Sequence, residues 1–405
     1  MSDRNSVLFA RQPILDEHMG LFAYELLYRD PGRPIRSQRD GDRATGHVVV
    51  ESLSNLHEHV SDTAVPMFVN LTRSVLLDFS DPPFPPEMMV MELLEDIHVD
   101  QAVIDAVAAL KEKGFRIALD DFVWKEEWKP LLPMADIIKV DVLDCTAGQV
   151  GFLVERLKPF DAILLAEKVE SRTMFEHCRR LGFSLFQGYF FAQPELVSGA
   201  KLSPNASNLL ELMGSINKPD IDAKTLALVI SRDAVLTLKL LRLVNSAAFS
   251  AGRSIDTIQQ AVAVLGLRKL RSWVMLLLLA GVENKPPELL RMLVLRAAMA
   301  ERVGAALAID QPDRCFMVGL ISGLDAMMDA PAELVLDNLP LADAMREAVL
   351  HGKGPLGGLI EAIKSYEQAD WENVFARLPG VSPRTLWDAY RDSLQWVSEV
   401  MRELR

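Results

Sequence analysis

Six short apolar runs in the first half of the chain each end on a polar side chain of a kind that holds a divalent cation or a phosphate. They are Val65-Pro-Met-Phe-Val69 before Asn70, Met88-Met-Val-Met91 before Glu92, and Arg116-Ile-Ala-Leu119 before Asp120 and Asp121. Ile137-Ile138 before Lys139 and Asp141, Ala162-Ile-Leu-Leu-Ala166 before Glu167, and Phe183-Ser-Leu-Phe186 before Gln187 complete the series. A short apolar run bounded by polar residues fits a strand buried on both faces, and amphipathic helical stretches lie between several of these runs. The pattern predicts a β/α barrel whose strand ends form one active face. Gly20 to Tyr24 reads as the first strand, followed by Glu25, and Val99 to Lys113 reads as a helix stopped by Gly114.

Beyond the segment from Pro194 to Pro204 the strand-like runs disappear. Apolar residues then recur with helical period: Leu209, Leu210, Leu212 and Met213, then Leu226, Val229 and Ile230, then Leu236, Leu240, Leu241 and Val244. The expected architecture is α/β plus all-α, a modified eightfold β/α barrel over residues 1–198 and a helical domain over 199–405.

A net charge of -13 argues against a nucleic-acid partner, which normally needs a basic face. The longest apolar stretch, Trp273 to Gly281, is about half of the roughly 20 residues needed to span a bilayer, so a buried helix and no membrane segment are expected. Cys145, Cys178 and Cys315 are far apart and form no CxxC, which fits a reducing cytoplasm better than a disulfide framework. The start of the chain has no long apolar stretch of the secretory type.

If the strand ends converge, Glu25, Glu92, Asp120, Asp121 and Glu167 bring carboxylates together. Two unpaired carboxylates 4 Å apart repel by roughly 4 kcal/mol at an effective dielectric of 20, so such a cluster needs a counter-ion. Oxygen ligands without His or Cys favour Mg²⁺, Mn²⁺ or Ca²⁺ over zinc. A metal pair held by carboxylates and the Asn70 carbonyl can clamp a phosphodiester and acidify a bound water. Lys139 is then a general base or a phosphate contact, and Gln187 an orienting group. The same residue types also cap helices that follow strands, and that reading stays open for each position alone.

At these residues the chain resembles the EAL family, whose active members hydrolyse cyclic di-GMP to linear pGpG with Mg²⁺ or Mn²⁺. The resemblance covers about residues 8 to 195. Gln12-Pro-Ile matches the family's opening, and Tyr24-Glu-Leu-Leu-Tyr-Arg29 its signature, with Leu26 in place of alanine. It implies metal ligands at Glu25, Asn70, Glu92, Asp120, Asp121 and Glu167, drawn from Val69-Asn-Leu71, Met91-Glu-Leu-Leu-Glu95, Leu119-Asp-Asp-Phe122 and Ala166-Glu-Lys-Val-Glu170. It implies catalytic roles for Lys139, Glu170 and Gln187, and substrate contacts from Gln12, Arg29 and Asp141. Two departures stand out. The loop after the paired aspartates, Gly- and Ser-containing in active members, is Val123-Trp-Lys-Glu-Glu-Trp128, whose spacing predicts a short helical turn packed on the barrel or lying over the site. Lys168 stands where the family usually has Gly.

Leu226 to Ala280 resembles the HDOD family, helical relatives of the HD phosphohydrolases, through Ile230 to Lys239, Leu240-Leu-Arg-Leu-Val-Asn-Ser246 and Ile258 to Gly266. Where HD enzymes place a metal-binding His-Asp pair this chain reads Gly319-Leu-Ile-Ser-Gly-Leu324, and no His-Asp dipeptide occurs in it. The resemblance therefore implies a non-catalytic domain that contacts a protein partner. The whole order resembles bacterial two-domain signalling proteins of the YuxH group and leaves a homodimer open. His57, His59 and His351 receive no role. Two functions of different class fit the sequence: a Mg²⁺- or Mn²⁺-dependent phosphodiesterase, and a catalytically silent cyclic di-GMP receptor or scaffold.

Overall fold

The structure, a computed structural model, describes residues 8–29, 65–78, 82, 85–143, 145–194, 204–218, 220–246 and 255–404. The chain divides into two compact units, Met1–Phe191 with Glu367–Ala369, and Ala192–Tyr366 with Asp370–Arg405. The expected boundary at 198/199, the histidines His57 and His59 and the Arg29 side chain lie outside the described residues.

In the first unit eight strands close into a barrel in sequence order: β1 (Leu8–Asp16), β2 (Leu21–Arg29), β3 (Met67–Leu71), β4 (Met89–Leu93), β5 (Arg116–Leu119), β6 (Ile137–Asp141), β7 (Ile163–Glu167) and β8 (Leu185–Gln187). Consecutive strands from β2 to β8 pair in parallel, whereas β1 runs antiparallel to both β2 and β8. This corrects the expectation that Gly20 to Tyr24 is the first strand: that segment overlaps β2, and Gln12-Pro-Ile is part of a strand before it. The physical reason is local. Asp16 Oδ1 accepts the amides of His18 and Gly20, both at 2.8 Å, and Met19 takes φ 63°, so the first connection is a tight turn that can only reverse the chain.

Among the described connections, those after β4, β6 and β7 carry helices with sequence-encoded starts. Asp100 accepts the Val103 amide at 3.0 Å to begin Gln101–Glu112, the helix expected over 99–113, and Gly114 ends it at φ 90°. Thr146 and Gln149 form a capping box at Ala147–Leu157, and Ser171 caps Arg172–Leu181.

Side chains alternate in and out of a barrel strand, and here the alternation builds two layers. Ile14, Ala23, Phe68, Val90, Ala118, Ile137, Leu165 and Leu185, one from each strand, form a buried apolar layer. Two residues further along lie Glu25, Asn70, Glu92, Asp120, Lys139, Glu167 and Gln187; on the reversed β1, Gln12 lies two residues before Ile14. A polar layer therefore stands directly on an apolar floor. Most of these polar residues lie within the strands rather than after them, as Asn70 in β3, Glu92 in β4 and Lys139 in β6 show.

The second unit is helical throughout its described residues, from Pro204–Ile216 to Pro383–Leu404. The apolar run from Trp273 belongs to the buried helix Leu267–Ala280. Gly319 lets Pro312–Ile321 approach Pro287–Ala306 closely: a Cβ there would sit 2.6 Å from the Ala297 Cα. Among the described residues no helix is long and apolar enough to cross a membrane.

Candidate functional site: a carboxylate ring around Lys139

Lys139 is fully buried in the polar layer, and its Nζ reaches four carboxylates from four other strand ends. Asp120 Oδ1 and Glu167 Oε1 each lie 2.8 Å away, Glu25 Oε2 lies at 3.4 Å, and Glu92 Oε1 accepts a short hydrogen bond. Backbone register brings the donors level: Asn70 pairs with Glu92, Glu92 with Ala118, and Asp141 with Glu167. The Phe122 amide donates to the Lys139 carbonyl at 2.9 Å, which carries the ladder past β5 and holds Asp120 and Asp121 over the barrel.

On the β1 side, Gln187 Nε2 donates to Glu25 Oε2 at 2.6 Å and to Gln12 Oε1 at 2.9 Å, while Asn70 Nδ2 donates to Glu25 Oε1 at 3.4 Å. Gly188 makes this corner possible. It has φ 143°, and a Cβ there would lie 2.2 Å from the Val169 carbonyl oxygen, so no other residue fits.

Four carboxylates against one ammonium leave an excess of negative charge in a desolvated place. Burial raises the Glu92 carboxyl well above its ordinary range, against the pull of Lys139. Burial likewise raises Glu167 to about 8. For Lys139 burial favours the neutral amine, but Glu25, Glu92, Glu167 and Asp120 together outweigh it and hold the pKa above the ordinary lysine value. The lysine is therefore an ammonium here, not a free base. Glu92 Oε2 and Glu167 Oε2 are buried without a hydrogen-bond partner. An all-oxygen donor set with excess charge and orphaned buried carboxylate oxygens suits a hard divalent cation.

The remaining candidates spread over the rim. Asp141, at the end of β6, accepts the Leu143 amide at 2.8 Å and the Lys168 ammonium. Asp121 takes φ 39°, and its carboxylate lies with those of Asp120 and Glu95 in a group whose oxygens are within 4.8 Å of one another. Glu95 was not among the expected site residues; its signal was the second glutamate of Met91-Glu-Leu-Leu-Glu95, three residues beyond Glu92. Glu170 is exposed and stands apart from the ring's ion pairs.

The altered loop packs on the barrel. Glu126–Trp128 forms a 3₁₀ turn, Trp128 is 2% exposed, and both indoles meet Phe122 edge-on at 6.4 and 6.3 Å. The Arg156 guanidinium lies 3.7 Å over the Trp124 ring, which sets that ring against the helix Ala147–Leu157.

In the helical unit, Ser322 lies within Gly319–Leu324, the stretch that corresponds to the His-Asp position of HD enzymes. Its hydroxyl accepts from the buried Arg296 Nη1 at 3.0 Å and donates to the Gly319 carbonyl at 2.7 Å.

Fold and site together define a two-domain protein with an EAL-type barrel and a helical HDOD domain. The HDOD domain model matches residues 202–328. The chain is 30% identical over 404 residues to the YuxH protein of Bacillus subtilis, covering 98% of this chain and 99% of that protein. It is 33% identical over 370 residues to the cyclic di-GMP phosphodiesterase CdgJ of Vibrio cholerae, covering 90% of this chain and 86% of that protein. The chain belongs to the family of EAL–HDOD proteins that contains YuxH and CdgJ. Similar solved structures include the Bacillus subtilis YkuI protein, with an EAL domain, in complex with cyclic di-GMP and calcium, at 19% identity, covering 46% of this chain and 55% of that one with a TM-score of 0.38. The EAL enzyme Bd1971 matches at 19% identity over 47% of this chain and 62% of that one, with a TM-score of 0.41.

Proposed function

We propose that this protein is a divalent-metal-dependent phosphodiesterase that opens cyclic di-GMP to pGpG, using Mg²⁺ or Mn²⁺, in a bacterial cytoplasm. The observation that carries the proposal is the ring of four carboxylates, three of them buried, around a single buried lysine, with oxygens of Glu92 and Glu167 left unpartnered. The relationship to CdgJ over most of both chains supports the choice of substrate.

In this reading Glu25, Asn70, Glu92, Asp120, Asp121 and Glu167 are the metal ligands. A divalent ion held there would supply charge neutralisation at a phosphodiester and lower the pKa of a water. Lys139 changes character with its surroundings. Neutralising the carboxylates removes the field that keeps it an ammonium, and its complete burial then favours the neutral amine, which can accept a proton from water. Gln187, held by Gln12 and Glu25, orients the reacting group. Asp141 and Arg29 are the further substrate contacts in this reading, and the HDOD half serves as the docking site for a protein partner.

The test is direct. Full-length protein with Mn²⁺ and cyclic di-GMP is followed by chromatography, with Glu25→Ala in parallel. The proposal expects pGpG from the wild-type chain and none from the variant. Nucleotide left intact by metal-loaded wild-type protein overturns it, and tight binding without turnover makes the barrel a receptor.

A further inference from the structure

The open side of the ring carries a second built-in cation. Lys168 follows Glu167 directly and takes φ 53°, a backbone region that costs a side-chain-bearing residue strain and that glycine occupies freely. Its ammonium is ion-paired with Asp141, the residue level with Glu167 across the β6–β7 pairing. Its charge also acts on Asp121 and Glu167. Lys168 thus pairs with one rim carboxylate, Asp141, and extends its field to Asp121 and Glu167, whereas Lys139 pairs directly with four. The two lysines divide the acids between them, with Glu167 shared. The side chain is 51% exposed, so it reaches this position from the solvent side rather than being trapped there.

A carboxylate set of this size can hold a pair of divalent ions, and two sites that share ligands respond to any fixed positive charge placed at one of them. We propose that Lys168 replaces one of the two ions: its ammonium holds Asp141, keeps a second cation from binding beside Asp121, and limits the site to a single divalent ion held among the ligands named above. The inference rests on the metal-site reading given above and adds the ion count and the residue that sets it.

The probe is Mn²⁺ added to chelator-treated full-length protein. Free ion is counted from its room-temperature paramagnetic resonance signal, and a coupled pair is sought in frozen samples. Wild type is expected to bind one Mn²⁺ per chain with no coupled signal. Lys168→Gln, which removes the charge and keeps the side chain's bulk, and Lys168→Gly are both expected to bind two, show the coupled spectrum, and take the second ion roughly tenfold or more tightly than wild type does. One ion in all three proteins overturns the role of Lys168 and leaves the metal site standing. Two equally tight ions in wild type overturn it as well. No bound ion in any of them overturns both this inference and the reading on which it rests.

Discussion

In the barrel, Lys139 lies no more than 3.4 Å from four carboxylates, Glu25, Glu92, Asp120 and Glu167. In the helical unit two buried arginines meet partners of different kinds: Arg291 pairs with Glu288 at 3.5 Å, and Arg296 donates to the neutral Ser322 hydroxyl at 3.0 Å. Both arrangements remove charge from water, which is costly unless partners replace the lost hydration. Arg291 and Arg296 meet that cost through these partners, while the Nε of Arg271 in the same unit is buried without one. In the barrel the carboxylates outnumber their ammonium, burial raises the pKa of Glu92 and Glu167, and one oxygen of each faces no donor. A polar core that is satisfied stabilises a fold, whereas one left with a defined electrostatic deficit is poised to bind.

The sharpest way to break this contrast is to remove one ring carboxylate. Glu92→Gln is expected to lower pGpG formation by roughly two to three orders of magnitude, measured at saturating Mn²⁺, because a buried charged ligand becomes a neutral one. An unchanged rate would mean that the ring does not serve catalysis.

Lys139→Met tests the ring from the other side. It leaves three buried carboxylates and the partly exposed Asp120 without their shared cation, so the metal-free protein is expected to lose about 3–5 kcal/mol in denaturant unfolding. Mn²⁺ should restore much of that loss by supplying the missing charge. A variant as stable as wild type without metal would show that the carboxylates had already escaped to water.

The third expectation concerns pH. Glu167 has an ordinary carboxyl pKa of 4.5 in the unfolded chain and about 8 in the folded one, so the unfolded state gives up its proton first. Between those values the folded state binds more protons, and the stability of the metal-free protein therefore falls as pH rises from about 4.5 to about 8. The raised pKa of Lys139 acts in the same sense, but only above the ordinary lysine range, outside this window. Mn²⁺ must displace the Glu167 proton, so its affinity should climb over the same interval. Urea midpoints and Mn²⁺ titrations across this range check both slopes; a flat stability profile contradicts the burial of Glu167 as an acid.

Smaller effects are expected outside the carboxylate ring. Arg296→Met should cost about 1–3 kcal/mol through the lost bond to Ser322, and Mn²⁺ should recover none of it. Trp124→Ala removes the stacking with Arg156 and should cost about 0.5–1 kcal/mol. Metal rescue of Arg296→Met in thermal melts would erase the difference between the two units.

Much of the barrel is legible in the sequence because its rules are local. Alternation with a period of two places Glu92 two residues after Val90 and Lys139 two after Ile137, so the apolar floor and the polar layer are both written in the strands. Asp100, Thr146 and Ser171 mark helix starts by their own side chains. The reversal of β1 is less visible, since it depends on how Asp16 captures the amides of His18 and Gly20. Glu95 was missed because a glutamate just beyond a strand end looks like an ordinary surface residue until Asp120 and Asp121 are brought beside it.

The sequence by itself determined the kinds of donors, the strands that carry them, and the absence of His and Cys from the set. Only the tertiary structure decided the charge balance. Lys139 meets Glu92 across 47 residues and Asp120 across 19, and their ionisation depends on burial and on one another. Whether Lys168 is an incidental surface lysine or a cation at the rim was likewise settled only when β6 and β7 set Asp141 beside it. Residue type is local, but the free energy of a buried charge belongs to everything that surrounds it.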